Sequence, residues 1–219
     1  MDFSKARFNM VEQQVRPWDV LDPRVLDVIG MLPREHFVPP QYRGLAYSDT
    51  RIPLNAHSKM LNPNIEGRIL QHLNVTEDDL VLEIGTGSGY LTACLARLAR
   101  HVDTVEIDET LAETARDKLA DLDIDNVNIT EGDASHGWEQ KRAYDIIVIT
   151  GSLPDIPQEY KELLSIGGRL FVVTGYAPAM TARLVTRTAA DTWEIEDVFE
   201  TCIDRLDGSD PDPDQGFVF

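Results

Sequence analysis

Predicted strands and helices alternate from residue 64 to residue 175, and this alternation constrains the fold more than any other feature. Apolar runs such as VLEI at 81–84 and IIVI at 146–149 suit strands that are buried on both faces. Such strands are typical of a parallel sheet covered by helices on both sides. The predicted strands are 80–84, 102–107, 127–130, 144–150 and 167–175, and the predicted helices are 64–73, 88–99, 109–122 and 159–166. We therefore predict an α/β fold with a doubly wound, mostly parallel sheet.

Both ends of the chain depart from this alternation. Apolar residues at helical spacing predict helices over 3–15 and 23–31, and a proline-rich, aromatic loop region follows over 37–57. Residues 181–188 and 193–203 alternate with period two around a short turn, which predicts an antiparallel hairpin at the sheet edge. The predicted divisions are an N-terminal helical and loop extension (1–63), a core (64–206) and an acidic tail (207–219).

The composition is that of an acidic chain with enough apolar residues for a core. Among the 219 residues, 42% are hydrophobic, and 38 acids against 20 bases give a net charge of −18. Such a charge repels nucleic-acid backbones and anionic membrane surfaces, so we expect neither as a partner. No window has the length of a membrane span, and the N-terminal residues carry charge throughout, without the apolar core of a signal peptide. We expect a cytoplasmic protein.

Cysteine and metal-ligand patterns are absent from the sequence. Cys94 and Cys202 lie far apart, which suggests neither a disulfide framework nor a zinc site. No group of His, Asp, Glu and Cys has the spacing of metal ligands, so we predict no metal.

A glycine-rich turn, IGTGSGY at 84–90, follows the first strand of the core. In a doubly wound fold, ligands bind beyond the carboxyl ends of the strands, so a cofactor is expected at this turn. Gly85, Gly87 and Gly89 allow a tight turn and a close approach to a ligand. The dinucleotide pattern G-x-G-x-x-G fails because Tyr90 stands at its last glycine. An NAD-dependent oxidoreductase is therefore disfavoured. The P-loop pattern is absent as well, which excludes a P-loop NTPase.

The turn, read from Glu83 as acid-x-Gly-x-Gly-x-Gly, resembles motif I of the class I S-adenosylmethionine (SAM)-dependent methyltransferases. In such enzymes a second acid binds the ribose hydroxyls from the end of the next strand, and Glu106 stands there, 21 positions after Gly85. A third acid, Asp133, follows the third strand, where such enzymes hold the adenine amino group. This resemblance implies a SAM site with these residues: Glu83, Gly85, Thr86, Gly87, Ser88, Gly89, Glu106, Ile107, Asp133 and Ala134.

Three longer stretches are similar to the protein-L-isoaspartate O-methyltransferase family. They are LEIGTGSGYLTACLA (82–96), VLDVIGMLPREHFVPPQYRGLAYSD (25–49) and IIVITGSLPDIPQEYKELLSIGGRLFVVTG (146–175). The similarity covers most of residues 20–175, with the motifs in the family's order. It implies methyl transfer from SAM to the carboxylate of an isoaspartyl residue in a damaged protein or peptide. A carboxylate is already a nucleophile at neutral pH, so such a site has mainly to orient it and to exclude water.

One segment departs from the family pattern. Where the family has Thr-Ile-Ser-x-Pro, this chain has KMLNP at 59–63, so that Lys59 and Leu61 replace two hydroxyl side chains. In the family those hydroxyls help to form the cofactor and substrate site. The residues predicted to shape the acceptor pocket, and so the candidate catalytic positions, are Ser58, Leu61 and Asn62.

This departure leaves two alternatives open. The first is a methyltransferase with a small-molecule acceptor, which the loss of the hydroxyl at Leu61 favours. The second is a regulatory or interaction protein that binds SAM without turnover. An RNA acceptor is disfavoured by the acidic charge.

Overall fold

The structure is a computed structural model that describes residues 2–139 and 142–209. The predicted acidic tail therefore lies outside the described residues from position 210 onward.

The N-terminal part consists of short helices, turns and a two-stranded ribbon. Its elements are α1 (Phe3–Met10), a π-helix (Val11–Val15), a 3-10 helix (Arg16–Trp18), α2 (Pro23–Met31), α3 (Arg34–Phe37), a second 3-10 helix (Pro40–Leu45), β1 (Ile52–Pro53) and β2 (Lys59–Met60). The helix predicted over 3–15 leaves α geometry after Met10 and cannot continue through Pro17, which has no amide hydrogen. β1 and β2 pair antiparallel, and such short strands leave no periodic pattern in the sequence.

The core is a seven-stranded sheet with its associated helices. Its elements are α4 (Pro63–Leu73), β3 (Leu80–Ile84), α5 (Tyr90–Leu98), β4 (His101–Glu106), α6 (Glu109–Ala120), β5 (Val127–Glu131), β6 (Tyr144–Leu153), α7 (Gln158–Glu162), β7 (Leu164–Tyr176), β8 (Ala179–Ala189) and β9 (Thr192–Thr201). Helices follow the parallel strands β3, β4 and β6. The strand order is β5-β4-β3-β6-β7-β8-β9. β3 to β7 pair parallel, so the predicted doubly wound sheet is confirmed.

The predicted C-terminal hairpin is also confirmed, whereas one predicted helix is too long. β8 pairs antiparallel with β7 and with β9. The helix expected over 159–166 ends at Glu162, because Leu164 already pairs with Tyr144 in the sheet. Leu164 is fully buried in the sheet, so its apolar side chain reflects a buried strand position and not the face of a helix.

The two faces of the sheet carry separate clusters of buried apolar side chains. Val15 and Phe37 from the N-terminal part share one cluster with Leu70 of α4 and Val81 of β3. Leu82, the next residue of β3, belongs to the cluster on the opposite face, as strand alternation requires. The N-terminal part thus contributes to the main core, and the domain divisions at 63/64 and 206/207 stay predictions.

β3 is the strand at which the order of the sheet reverses. The chain passes from β3 to β4 on one side and later returns to β6 on the other side. In such sheets the crevice beyond the carboxyl ends of these strands is where ligands bind. Within 2–139 and 142–209, no helix is both long and apolar enough to cross a bilayer.

Candidate active site

The turn between β3 and α5 has a backbone conformation that favours glycine. Gly85, Gly87 and Gly89 have φ angles of +91°, +53° and +83°, in the left-handed region that other residues rarely adopt. At Gly85 a Cβ would also collide with Thr150 Oγ1 at the neighbouring strand β6. The backbone of this turn can therefore lie directly against both β6 and a ligand.

Glu106, the last residue of β4, is bonded to this turn. Its Oε2 accepts a hydrogen bond from Gly87 N at 2.7 Å, and its Oε1 accepts one from Asp108 N at 3.1 Å. The side chain is 5% exposed, and burial raises the pKa of the carboxyl. A carboxylate has about four acceptor positions, so Glu106 can hold the turn and still accept hydrogen bonds from a ligand's hydroxyls.

Glu83, near the end of β3, is fully buried beneath the turn. Its Oε2 accepts hydrogen bonds from Thr92 Oγ1 at 2.5 Å and from Thr104 Oγ1 at 2.8 Å. Its Oε1 is buried and has no hydrogen-bond partner among the described residues. Burial raises the pKa of this carboxyl to about 8. Sequence reasoning found Glu83 but missed the two threonines, whose only signal is a hydroxyl within α5 and within β4.

Two adjacent cavities meet at the glycine turn. The larger is an open cleft that encloses about 710 Å³ of empty space, including part that is open to solvent. The smaller, of about 340 Å³, lies towards Glu83 and Glu66, and we call it the inner cavity. The residues that border both are Leu54, Lys59, Leu61, Gly85, Gly87 and Thr150.

The remaining predicted cofactor residues are distributed between these cavities and their surroundings. Ile107 and Ala134 line the cleft, and Thr86 and Ser88 line the inner cavity. Gly89 and Asp133 are in neither lining. Asp133 is exposed, and hydrogen bonding from the side chain and the backbone nitrogen of Ser135 lowers the pKa of its carboxyl; Ser135 N lies 2.9 Å from Oδ1.

Of the three predicted acceptor residues, two reach the cleft. Ser58 lines it, and its Oγ donates a hydrogen bond to Asp207 Oδ2 at 3.3 Å. Leu61 borders both cavities and is 9% exposed. Asn62 is in neither lining; it precedes α4, and its Nδ2 donates to Asp49 Oδ1 at 2.8 Å. The structure therefore brings Ser58 and Leu61 to the cofactor cleft and leaves Asn62 outside it.

A buried ion pair supports Leu61 from behind. The Arg34 guanidinium donates to the Glu66 carboxylate, and both side chains are almost fully buried. A second nitrogen of Arg34 donates to the carbonyl oxygen of Leu61 at 2.6 Å. Burial raises the pKa of the Glu66 carboxyl, and the positive charge of Arg34 counteracts that rise. Residues 58–63, which we call the acceptor segment, thus depend for their position on a charged residue far upstream in the sequence.

A segment after β9 forms another wall of the cleft, which sequence reasoning missed. Residues 204–207 line it. Ser152 N donates to Asp204 O at 2.9 Å, and Leu206 N donates to Ser152 O at 3.0 Å, so the segment runs alongside the end of β6. A Cβ on Gly151 would lie 2.6 Å from Leu206 Cα, so this close approach requires glycine. Residues 204–207 have no periodic pattern. The only sequence signal for their position is the small size of Gly151 and Ser152 at the end of β6.

These features fit SAM. Beside the inner cavity, Glu83 Oε1 is a buried oxygen without a partner among the described residues, and a cationic group bound there would favour the charged form of this carboxyl and lower its raised pKa. Ile84, Ile107 and Ala134 give the cleft apolar surface for a flat base. Glu106 lies between these two regions and would accept hydrogen bonds from the ribose hydroxyls.

Comparison with known families decides which methyltransferase this arrangement resembles. The family model described as Protein-L-isoaspartate(D-aspartate) O-methyltransferase (PCMT) matches residues 6–203. The chain belongs to this family. SAM is the methyl donor of PCMT family enzymes, which confirms the cofactor prediction.

Individual relatives of the PCMT family agree with this assignment. The chain is 37% identical over 215 residues to a protein-L-isoaspartate O-methyltransferase of Brucella anthropi, covering 97% of this chain and 98% of the relative. It is 40% identical over 196 residues to protein-L-isoaspartate O-methyltransferase 1 of Rhodopseudomonas palustris, covering 89% and 80%.

Solved structures show the same fold. A Plasmodium falciparum structure described as a protein-L-isoaspartate O-methyltransferase in complex with S-adenosyl-L-homocysteine superimposes with a TM-score of 0.80. It is 19% identical and covers 91% of this chain and 97% of its own. At that identity the likeness supports the fold and not the details of the site.

Proposed function

We propose that this protein is a SAM-dependent protein-L-isoaspartate O-methyltransferase that methylates isoaspartyl carboxylates in damaged proteins. The observation that carries the proposal is that the glycine turn and the acceptor segment border the same two cavities. Gly85 and Gly87 contribute one side, and Lys59 and Leu61 contribute the other. A donor held by the turn would therefore lie next to an acceptor held by the segment.

Each cofactor residue has a proposed task. The backbone of the glycine turn and the unpartnered Oε1 of Glu83 would hold the aminoacyl end of the donor. Glu106 would hold the ribose hydroxyls, and Ala134 with the neighbouring Asp133 would bind the adenine end. When bound, SAM supplies an electrophilic methyl group, which leaves sulfur as the acceptor oxygen bonds to its carbon and the C–S electron pair returns to sulfur.

The chain's own contribution to the chemistry is orientation and exclusion of water. An acceptor carboxylate needs no general base, and correct placement of two reactants by itself supplies a large part of a rate enhancement. Leu54 and Leu61 place apolar surface where the two cavities meet. The hydrogen bond from Ser58 to Asp207 joins the acceptor segment to the C-terminal wall beside that place. The two leucines favour exclusion of water from the place where the cavities meet.

The deciding experiment is transfer of labelled methyl from SAM to an isoaspartyl peptide. An aspartyl peptide of the same sequence is the control, and SAM binding is measured in parallel by calorimetry. We expect label on the isoaspartyl peptide only. SAM binding without label on either peptide would refute the proposed acceptor while keeping the cofactor site.

A small-molecule acceptor is the second candidate, and one observation favours it. Residues 204–207 wall the cleft, and Asp207 is joined to Ser58 across it, which narrows the entry for a peptide. Removing that link by Asp207→Ala should raise the rate with peptide if peptide entry is hindered. Methyl transfer to small carboxylates, with none to peptide in either protein, would favour the small-molecule candidate.

We further propose that the protein acts in the cytoplasm and without nucleic-acid partners. Cys94 and Cys202 are both free thiols, a state typical of reducing compartments. The net charge of −18 opposes binding to phosphate backbones. Cell fractionation with an antibody to the protein tests the location, and retention on immobilised RNA at physiological salt would contradict the second statement.

A further inference from the structure

Lys59 occupies the place where the two cavities meet. It lies in strand β2, and its side chain borders both the cleft and the inner cavity. Leu61, two residues on, faces the same place and has no polar group to offer a substrate. Lys59 is thus the cationic side chain that this segment presents between the donor site and the cleft.

Lys59 shares a single carboxylate with a second cation. Arg51 Nη1 lies 2.8 Å from Asp204 Oδ1 and makes a hydrogen bond with it. The Lys59 ammonium lies 3.4 Å from Asp204 Oδ2, longer than the roughly 2.7–2.9 Å of a charge-assisted hydrogen bond. Two cations thus face one carboxylate in this cluster, whereas the other acids that line the cleft, Glu106 and Asp207, accept hydrogen bonds from Gly87 N and Ser58 Oγ. Such a cluster is informative in a chain with 38 acids and 20 bases.

The contact with Asp204 leaves Lys59 donors for another acceptor. An ammonium has three N–H donors, and the long contact to Asp204 engages at most one of them. The Lys59 side chain is 42% exposed, so it can turn towards the cleft without opening the core. A carboxylate placed in the cleft would complete this cluster as a second negative charge.

Resting on the function proposed above, we infer that the Lys59 ammonium binds the acceptor carboxylate, with Arg51 and Asp204 holding the lysine in position. The charge of Lys59 then selects an anionic acceptor by electrostatic attraction. A hydroxyl at this position would select it by hydrogen bonding alone. One carboxylate oxygen is anchored to the lysine and the other stays available to bond to the methyl carbon. Methylation converts the carboxylate into a neutral ester, so the product loses the attraction to Lys59 and is released more readily.

The test compares Lys59→Met with Lys59→Arg, and with Lys5→Met as the matched control. Lys5 is an exposed residue of α1 that lines neither cavity, so its replacement removes the same charge at a remote place. For each protein we would measure the KM and kcat for an isoaspartyl peptide at low and high salt. The dissociation constants of SAM and of the peptide, the latter with S-adenosyl-L-homocysteine present, are measured by calorimetry.

We expect Lys59→Met to raise the peptide KM and dissociation constant by about tenfold, the loss of roughly one charge-assisted hydrogen bond. The kcat should change less, and the SAM dissociation constant should stay within about twofold. Lys59→Arg should keep most of the peptide affinity, and salt should weaken peptide binding less in Lys59→Met than in the parent. Equal peptide affinity in Lys59→Met and Lys5→Met would overturn the inference, as would a parallel loss of SAM affinity.

A second arm separates this inference from the proposed function. Succinate, a dicarboxylate without a peptide, is titrated into the complex with S-adenosyl-L-homocysteine. Succinate binding that Lys59→Met abolishes, together with no methyl transfer to peptide, would support the anion site and refute the peptide acceptor. Peptide methylation that is indifferent to Lys59→Met would keep the function and overturn the role of Lys59.

Discussion

The glycine turn and the acceptor segment face each other across one cleft, yet they are held in place in different ways. The turn is bonded to the ends of the strands beside it: Glu106 Oε2 of β4 accepts from Gly87 N, and Thr150 Oγ1 of β6 donates to Gly85 O. The acceptor segment is held by residues outside the parallel strands: Arg34 donates to the carbonyl oxygen of Leu61, and Asp204 lies within ion-pair distance of Lys59. The side of the cleft at the turn, which we call the donor half, thus depends on the parallel sheet, whereas the acceptor half depends on segments outside that sheet. The acceptor half, with Lys59 and Leu61, can therefore change without disturbing the donor half.

The largest expected effect comes from removing the support behind the acceptor segment. Arg34→Met leaves the Glu66 carboxylate buried without its partner and removes the donor to the Leu61 carbonyl oxygen. Breaking a buried pair from one side typically costs about 3–5 kcal/mol. We expect a loss of that size in the free energy of unfolding, measured with urea, and weaker peptide binding.

The double variant Arg34→Met/Glu66→Met is the control for this change. It removes both charges and should recover most of the lost stability, because no unpaired charge remains. If the free energy of unfolding of Arg34→Met lay within about 1 kcal/mol of the parent's, the ion pair would not be what holds the acceptor segment.

The second-largest effect should come from a change in the glycine turn of the donor half. Gly85→Ala places a Cβ where φ is +91° and where Thr150 Oγ1 already lies. Strain of about 1–3 kcal/mol should weaken SAM binding by tenfold or more. Gly30→Ala is the matched control, since a Cβ on Gly30 meets nothing within 4 Å. Calorimetry with both variants tests this, and unchanged SAM affinity in Gly85→Ala would show that the turn does not hold the donor.

The third effect is a pH dependence of the free energy of unfolding, which Glu83 in the donor half should cause. The carboxyl of Glu83 has a pKa of about 8 in the fold against 4.5 as its ordinary value. Between these values the folded state binds more protons than the unfolded state, so stability falls as pH rises, by at most about 1.4 kcal/mol per pH unit.

The Glu83→Gln variant should remove this slope. Urea unfolding between about pH 5 and pH 8 measures it for the parent and the variant. Glu131→Gln removes an exposed carboxylate at the end of β5 and should keep the parental slope. A slope that persists unchanged in Glu83→Gln would assign the titration to another group.

The smallest effect concerns the link between the halves. Asn55 Nδ2 donates to Asp108 Oδ2 at 2.9 Å, and its Oδ1 accepts from the backbone nitrogens of His57 and Ser58. Each such bond contributes about 1 kcal/mol, so Asn55→Ala should raise the peptide KM severalfold and leave SAM affinity within about twofold. Steady-state kinetics checks this, with Asn128→Ala, an exposed site on β5, as the control. Equal changes in both affinities would mean that the halves are not separable.

Sequence reasoning reached the donor half more fully than the acceptor half. It found the glycine turn, and it found Glu106 from its place at the end of the following strand. It placed Asn62 in the acceptor pocket, whereas the structure turns its side chain towards Asp49. It missed residues 204–207, because their place in the cleft depends on pairing with the end of β6.

The sequence by itself determined the doubly wound sheet, the edge hairpin and the glycine turn. Strand and helix periodicity and a positive φ depend on residues only a few positions apart. Only the tertiary structure decided that Arg34 supports Leu61, and that Arg51 and Lys59 meet Asp204. Arg51 and Asp204 are 153 residues apart in the chain. Their encounter follows from where β6 and β9 end in the packed sheet, which no local pattern encodes.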